Sequence, residues 1–260
     1  MSHDQPTPAN PANGPSARFF PHIGLAPDMR VLDVGCGNGD LSRAVAALVG
    51  PGGEVVGIDR SEGALASARA VQPQPGTAPI CYQVADLSGG LPDLGQFDAI
   101  VGRRVLMYLP DAAATLNRLA RFAKPGTILA FQEHARADLP SGLGDLPMHQ
   151  QCYRMMWDTV AAERGDVTLG YRLADLMREA GFAIEHARSE GVIIQSWEES
   201  FPPTLARAML ARMIEHGVVR DEEIDLNVLA DRIDEERRAV GGAIFWDLAF
   251  LVSGRVERIG

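Results

Sequence analysis

At 260 residues, 46% apolar and 22% charged, with 27 glycines, the chain has the composition of an ordinary globular enzyme, which excludes fibrous and wholly disordered classes. The formal net charge is −10 and the 24 Lys and Arg are scattered, so the basic stripe that a phosphate backbone requires is missing and no nucleic-acid partner is expected. There is no apolar run of about 18 residues, no basic segment leading into an apolar stretch at Met1–Pro15, and no C-x-x-C pair among Cys36, Cys81 and Cys152. A cytoplasmic protein without membrane span, disulfide framework or bound metal is expected.

Residues Met1 to Ser16 hold four prolines among Asn, Gly, Ser and Gln. Such a segment buries too little apolar surface to offset its ordering entropy, so a disordered tail is expected over 1–16 and a folded domain over 17–260. From there short β-rich apolar runs alternate with helical stretches, the signature of βαβ units and a mostly parallel, doubly wound α/β sheet. The predicted strands are Arg30 to Val34, Glu54 to Asp59, Ile80 to Ala85, Phe97 to Gly102 and Thr127 to Glu133. Helices are predicted at Leu41 to Val49, stopped by Gly50-Pro51-Gly52-Gly53, at Ser61 to Val71 with Ser61 as N-cap, and at Ala112 to Ala123 before Lys124-Pro125-Gly126. The alternation then breaks. Helical insertions are expected at about 135–170, with a helix over Cys152 to Glu163, and at 196–241, with helices near Pro203 to His216 and Asp225 to Arg238. Between and after them fall a helix at Arg172 to Ala180 and strands at Phe182 to Arg188 and Ala243 to Val252. The two insertions are expected to form a cap that excludes water and shapes a ligand pocket.

The most informative segment is Val31-Leu32-Asp33-Val34-Gly35-Cys36-Gly37-Asn38-Gly39-Asp40, a strand, a tight turn and a helix start. Glycines there admit a ligand to the backbone, and the free N–H groups of the helix start favour an anionic group. Asp33 beside the turn suits a cationic amine, so an amino-acid-like ligand offers both charges. Asp59 closes the second strand twenty residues beyond Gly39, where a carboxylate accepts from the hydroxyls of a ribose. The spacing Gly35-x-Gly37-x-Gly39 differs from the G-x-G-x-x-G of dinucleotide sites, which argues against a nucleotide-dependent oxidoreductase. A further carboxylate, Asp86 in Val84-Ala85-Asp86, suits an adenine amino group, with Leu87 beside the ring.

Together, Val31 to Asp40, Val56-Gly57-Ile58-Asp59-Arg60-Ser61, Ala85-Asp86-Leu87, Phe97 to Val101 and Lys124-Pro125-Gly126 resemble the successive motifs of class I S-adenosylmethionine-dependent methyltransferases, and more loosely their ubiquinone and menaquinone C-methyltransferase branch. The resemblance covers roughly Arg18 to Arg188. It implies a Rossmann-like seven-stranded sheet of order 3-2-1-4-5-7-6 whose last strands pair antiparallel, with S-adenosylmethionine as cofactor. It also implies cofactor contacts at Asp33, Gly35, Cys36, Gly37, Gly39, Asp59, Arg60, Asp86, Leu87 and Arg103.

Methyl transfer needs in-line positioning and often a base. Glu133 and His134 are expected at the carboxyl end of the fifth strand, facing one crevice, as acid–base residues. Arg104, Met107 and Tyr108 after the fourth strand are substrate candidates, as are His149, Tyr153 and Trp157, whose four-residue spacing gives one helix face if the helix reaches back to His149. Arg18, Phe19 and Phe20 are candidates to fold over the cofactor. The expected activity is methylation of an O, N or C nucleophile on a small, partly apolar molecule by a monomer or homodimer. The alternative is a protein that keeps the cofactor without methylating, as a scaffold subunit or by using the sulfonium charge for catalysis.

Overall fold

The computed structural model describes residues 10–198, 201–220 and 224–256. In chain order the elements are α1 (Gly14–Phe19), β1 (Arg30–Val34), α2 (Asp40–Val49), β2 (Glu54–Asp59), α3 (Glu62–Ala70), β3 (Ile80–Val84) and β4 (Phe97–Arg103). There follow α4 (Ala112–Ala120), β5 (Ala123–His134), α5 (Pro147–Ala162), α6 (Leu169–Glu179), β6 (Phe182–Ile194), α7 (Phe201–Glu215), α8 (Leu226–Val240) and β7 (Ile244–Val256). The seven strands form one sheet of order β3-β2-β1-β4-β5-β7-β6. β1 to β5 pair in parallel and β5 pairs antiparallel with β7, so the sheet is mixed.

The central strands are near-continuous Val, Ile and Leu because helices cover both of their faces, the usual reading of parallel strands. Register then sets the site. Asp33 lies opposite Gly57 on β2 and Val101 on β4, so the carboxyl ends of β1, β2 and β4 emerge together at one edge. Ser61 caps α3 as expected, its hydroxyl accepting from the Ala64 N–H at 3.2 Å.

Three expectations change. The expected tail is ordered where it is described: residues 11–13 form a 3-10 turn and α1 follows, with Ser16, Phe19 and Phe20 buried, and the remainder of that expectation, over 1–9, lies outside the described residues. Phe19 and Phe20 join Ile23, Val31, Val45, Val49 and Val101 in the core, and this burial provides the stabilisation that the composition of the segment lacks. They are therefore core residues, and Arg18 pairs with Glu190 at 2.8 Å on the surface. Second, α4 ends at Ala120 and β5 starts at Ala123, because the Phe122 carbonyl accepts from Phe97 N–H and the Thr127 hydroxyl donates to the Phe97 carbonyl. Third, β6 and β7 run to Ile194 and Val256, well beyond the expected strands.

The chain divides into two compact units. The larger comprises Pro15–Ala135, Thr168–Glu190 and the described residues from Ala249 onward. The smaller gathers Arg136–Val167 and Gly191–Leu248, with the described residues up to Gly14. These are the segments where the βα alternation breaks, and α5, α7 and α8 pack against one another there. Among the described residues no helix is long and apolar enough to cross a membrane.

Phe20→Ala removes a ring that is 2% exposed from the middle of the larger core. It is expected to cost about 3–5 kcal/mol, read as a lowered midpoint in chemical denaturation at unchanged m-value.

Candidate functional site

The strand-to-helix turn Gly35 to Gly39 is built by steric exclusion. Gly35, Gly37 and Gly39 all have positive φ, 64°, 52° and 78°. A Cβ on Gly35 would lie 2.2 Å from Val105 Cγ2 and one on Gly39 2.2 Å from the Tyr82 hydroxyl, so these two glycines let the turn close against its neighbours. A Cβ on Gly37 would meet nothing within 4 Å. The open space there is the floor of a cavity of about 220 Å³ lined by Asp33, Gly35, Cys36, Gly37, Asn38, Leu41, Arg103, Arg104 and Tyr108. α2 begins at Gly39 with no side chain capping its first amides.

Asp33 is 1% exposed. Its Oδ2 accepts from the Ser42 hydroxyl at 2.5 Å, while its Oδ1 is buried with no partner. Burial pushes the carboxyl up to about 7, against the opposing pull of the Ser42 hydrogen bond and the Arg103 charge. Arg103 is itself largely buried, its guanidinium donating to Ser16 Oγ at 3.3 Å and lying 4.0 Å from Asp40 Oδ2. Burial lowers its pKa and the nearby Asp33 and Asp40 raise it. Asp59 braces the turn: Oδ2 accepts from Gly37 N–H and Oδ1 from Ser61 N–H, each at 2.9 Å. Burial, with the Asp33 and Asp59 charges, pushes the Cys36 thiol up, so it packs as a neutral side chain. Arg60 is exposed beyond β2. Asp86 is exposed with Oδ1 accepting from Ser88 N–H at 2.8 Å, and Leu87 is buried beside it in sequence.

Glu133 and His134 do not face one crevice. Neighbours on a strand point to opposite faces. Glu133 is fully buried and its carboxylate accepts from three successive backbone amides, Val105 and Leu106 at 3.0 and 2.9 Å on Oε1 and Met107 at 3.4 Å on Oε2. His134 is buried with Nε2 3.0 Å from Gln132 Nε2, two residues back on its own face. Of the substrate candidates, Arg104 and Tyr108 line the cavity and Met107 is buried behind it in sequence. α5 does reach back past His149, but the face it forms is packed inside the smaller unit. Tyr153 meets Trp157 and Trp246 edge-on at 6.1 and 5.5 Å, its hydroxyl lies 3.2 Å from Asp247 Oδ1, and His149 Nδ1 lies 2.6 Å from Glu236 Oε2.

The sequence reading did not single out Ser42 or Ser16. Ser42 was detectable as the hydroxyl among Leu41, Val45 and Ala46 on the inner face of α2, a polar group that needs a buried partner. Ser16 carried no such signal, because its partner Arg103 is 87 residues away.

The sheet order, the glycine turn and the acidic residues closing β1 and β2 define the Rossmann-like class I methyltransferase fold. A methyltransferase-domain family matches residues 25–192, and the chain belongs to that family, with S-adenosylmethionine as cofactor. It is 31% identical over 172 residues to a trans-aconitate 2-methyltransferase of Methylobacterium radiotolerans, covering 65% of this chain and 60% of that enzyme. It is 35% identical over 156 residues to a 2-phytyl-1,4-naphtoquinone methyltransferase of Synechococcus elongatus, covering 59% of this chain and 65% of that one. In both cases the match spans less than two thirds of the relative. An S-adenosylmethionine-dependent methyltransferase from Mesorhizobium loti shares the fold with a TM-score of 0.53 at 24% identity, covering 94% of this chain and 97% of that one.

The residues present fit the cofactor: an unpartnered buried carboxylate oxygen for its ammonium, an uncapped helix start and Arg103 for its carboxylate, and open backbone at Gly37. The Asp33 carboxyl keeps its proton to about 7 in the folded chain and to about 3.8 when unfolded. Folding therefore takes up a proton between those values, and the Asp33 contribution to stability falls as pH rises from about 4 to about 7. A cationic amine bound to the ionised carboxylate reverses that loss. The rise in melting temperature produced by saturating S-adenosylhomocysteine is expected to be larger at pH 8 than at pH 6, and Asp33→Asn should abolish most of the difference.

Proposed function

We propose that this protein transfers the methyl group of S-adenosylmethionine to an O, N or C nucleophile of a small, partly apolar molecule. The observation that carries the reading is the buried, unpartnered Oδ1 of Asp33 in a cavity floored by Gly37. Nothing in the fold alone requires that arrangement, and a cationic amine completes it. The names of the relatives, which methylate trans-aconitate or a phytyl naphthoquinone, support a small-molecule acceptor.

When bound, the cofactor supplies an electrophilic sulfonium methyl group. The residues of the chain bind and orient. Asp33 takes the amine, Asp59 takes the ribose hydroxyls while bracing Gly37, and Asp86 with Leu87 takes the adenine. Arg104 and Tyr108, which share the lining with Arg103, contact the acceptor. With Glu133 engaged by backbone amides, proton removal falls to His134 where the acceptor needs a base, and otherwise positioning suffices.

Calorimetric titration with S-adenosylhomocysteine tests the cofactor site. Wild type is expected to bind in the micromolar range, and Asp59→Ala to lose about 1.5–3 kcal/mol, the usual contribution of a charged hydrogen bond. Absence of heat and of thermal shift in wild type would sink the reading. Incubation with S-adenosylmethionine and a panel of small carboxylates, phenols and quinols, followed by mass spectrometry, then identifies the methylated acceptor. S-adenosylmethionine bound but never consumed across the panel would favour a non-methylating protein.

A further inference from the structure

The interaction at Glu133 is unusual in kind. Its carboxylate, fully buried near the end of β5, collects three consecutive N–H groups from the segment that leaves β4. One residue earlier, Arg104 takes left-handed backbone, φ 54°, and its N–H donates to the Gln132 carbonyl at 2.8 Å. β5 therefore holds four successive amides of this segment, one through its main chain and three through one side chain. The peptide groups of 105–107 would otherwise be buried donors without acceptors, and each such loss is costly.

The held segment is also a wall of the cofactor cavity. Arg103, Arg104 and Tyr108 line it, and Val105 occupies the space against Gly35 in which no Cβ fits. A shift of Val105 therefore reaches the glycine turn directly. We infer that Glu133 is a positioning residue: through the amides of Val105, Leu106 and Met107 it fixes the cavity wall formed after β4, and so sets cofactor affinity, without touching cofactor or acceptor. The inference rests on the cofactor reading above. An ionised carboxylate is the side chain that can accept all three bonds. A glutamine presents one oxygen and one NH2, and the NH2 meets an N–H donor in place of an acceptor.

The test compares wild type with Glu133→Gln and Glu133→Asp, which retracts the charge by one methylene. Amide hydrogen exchange over 104–110 and S-adenosylhomocysteine titration are both measured well below the melting temperature. Exchange at 105–107 is expected to quicken about tenfold or more in Glu133→Gln while β1 and β2 amides keep their wild-type rates, with S-adenosylhomocysteine affinity weakened about tenfold or more. Glu133→Asp should fall between. In steady state the loss should appear mainly in KM for S-adenosylmethionine. Unchanged exchange and affinity with a collapsed kcat would overturn the inference and make Glu133 a base, and equal acceleration across the whole sheet would reduce it to a general stabiliser. Should Glu133→Gln fail to fold, wild type decides: rapid exchange at 105–107 contradicts the clamp and protection supports it. Wild type that does not bind S-adenosylhomocysteine overturns the cofactor reading, and the exchange result still judges the clamp.

Discussion

The site depends on one electrostatic constraint, a carboxylate withdrawn from water at the end of β1. Asp33 sits where parallel strands flanked by Gly57 and Val101 leave it no solvent, and a buried charge is tolerated only with partners. The surroundings supply two incomplete ones, the Ser42 hydroxyl from one turn into α2 and the Arg103 guanidinium from the end of β4. Each is held in turn. α2 is fixed by Val45 and Val49 in the core, and Arg103 is held by Ser16 of α1. The N-terminal helix, the glycine turn and the ends of three strands are therefore linked through one side chain.

Asp33 and Glu133 make a controlled comparison within one sheet. Both are completely buried, and burial raises both carboxyls to about 7. Their partners differ. Glu133 has both oxygens engaged by backbone amides, whereas Asp33 keeps one oxygen unpartnered in the lining of a cavity. A satisfied buried carboxylate is architecture, and an unsatisfied one in a cavity lining is a candidate partner for a cation. A raised pKa alone would not have separated the two.

This contrast explains how far the sequence was legible. Strands β1 and β2 were readable to the residue because their apolar runs ended beside Asp and Gly, and the turn was readable because its alternate glycines mark the positive-φ backbone that other residues rarely adopt. The role of Glu133 was not readable, since its partners are backbone amides 26 to 28 residues earlier and backbone leaves no trace in composition. The same holds for α1. It follows a Pro- and Asn-rich stretch whose composition favours disorder, and the burial of Phe19, and of Phe20 just after it, among distant core residues reverses that preference. In the smaller unit the helical spacing of His149, Tyr153 and Trp157 was correct, but spacing does not say whether a shared face meets ligand or Trp246.

The charges of the cavity also bear on the choice between ligands that this fold accommodates. A dinucleotide places a pyrophosphate against the glycine turn, where the helix start attracts it. Here that turn is flanked by Asp33, whose ionised form would face the phosphates across a few bonds of backbone in a region with little solvent to screen the repulsion. Arg103 offers one opposing charge, already shared with Asp40 and Asp33. In the proposed reading an α-amino acid matches the arrangement better, because its ammonium would complete the unpartnered oxygen of Asp33 while its single carboxylate asks only for uncapped amides and one guanidinium. In that reading the buried acid that would take the ammonium is also what discriminates against a doubly anionic cofactor.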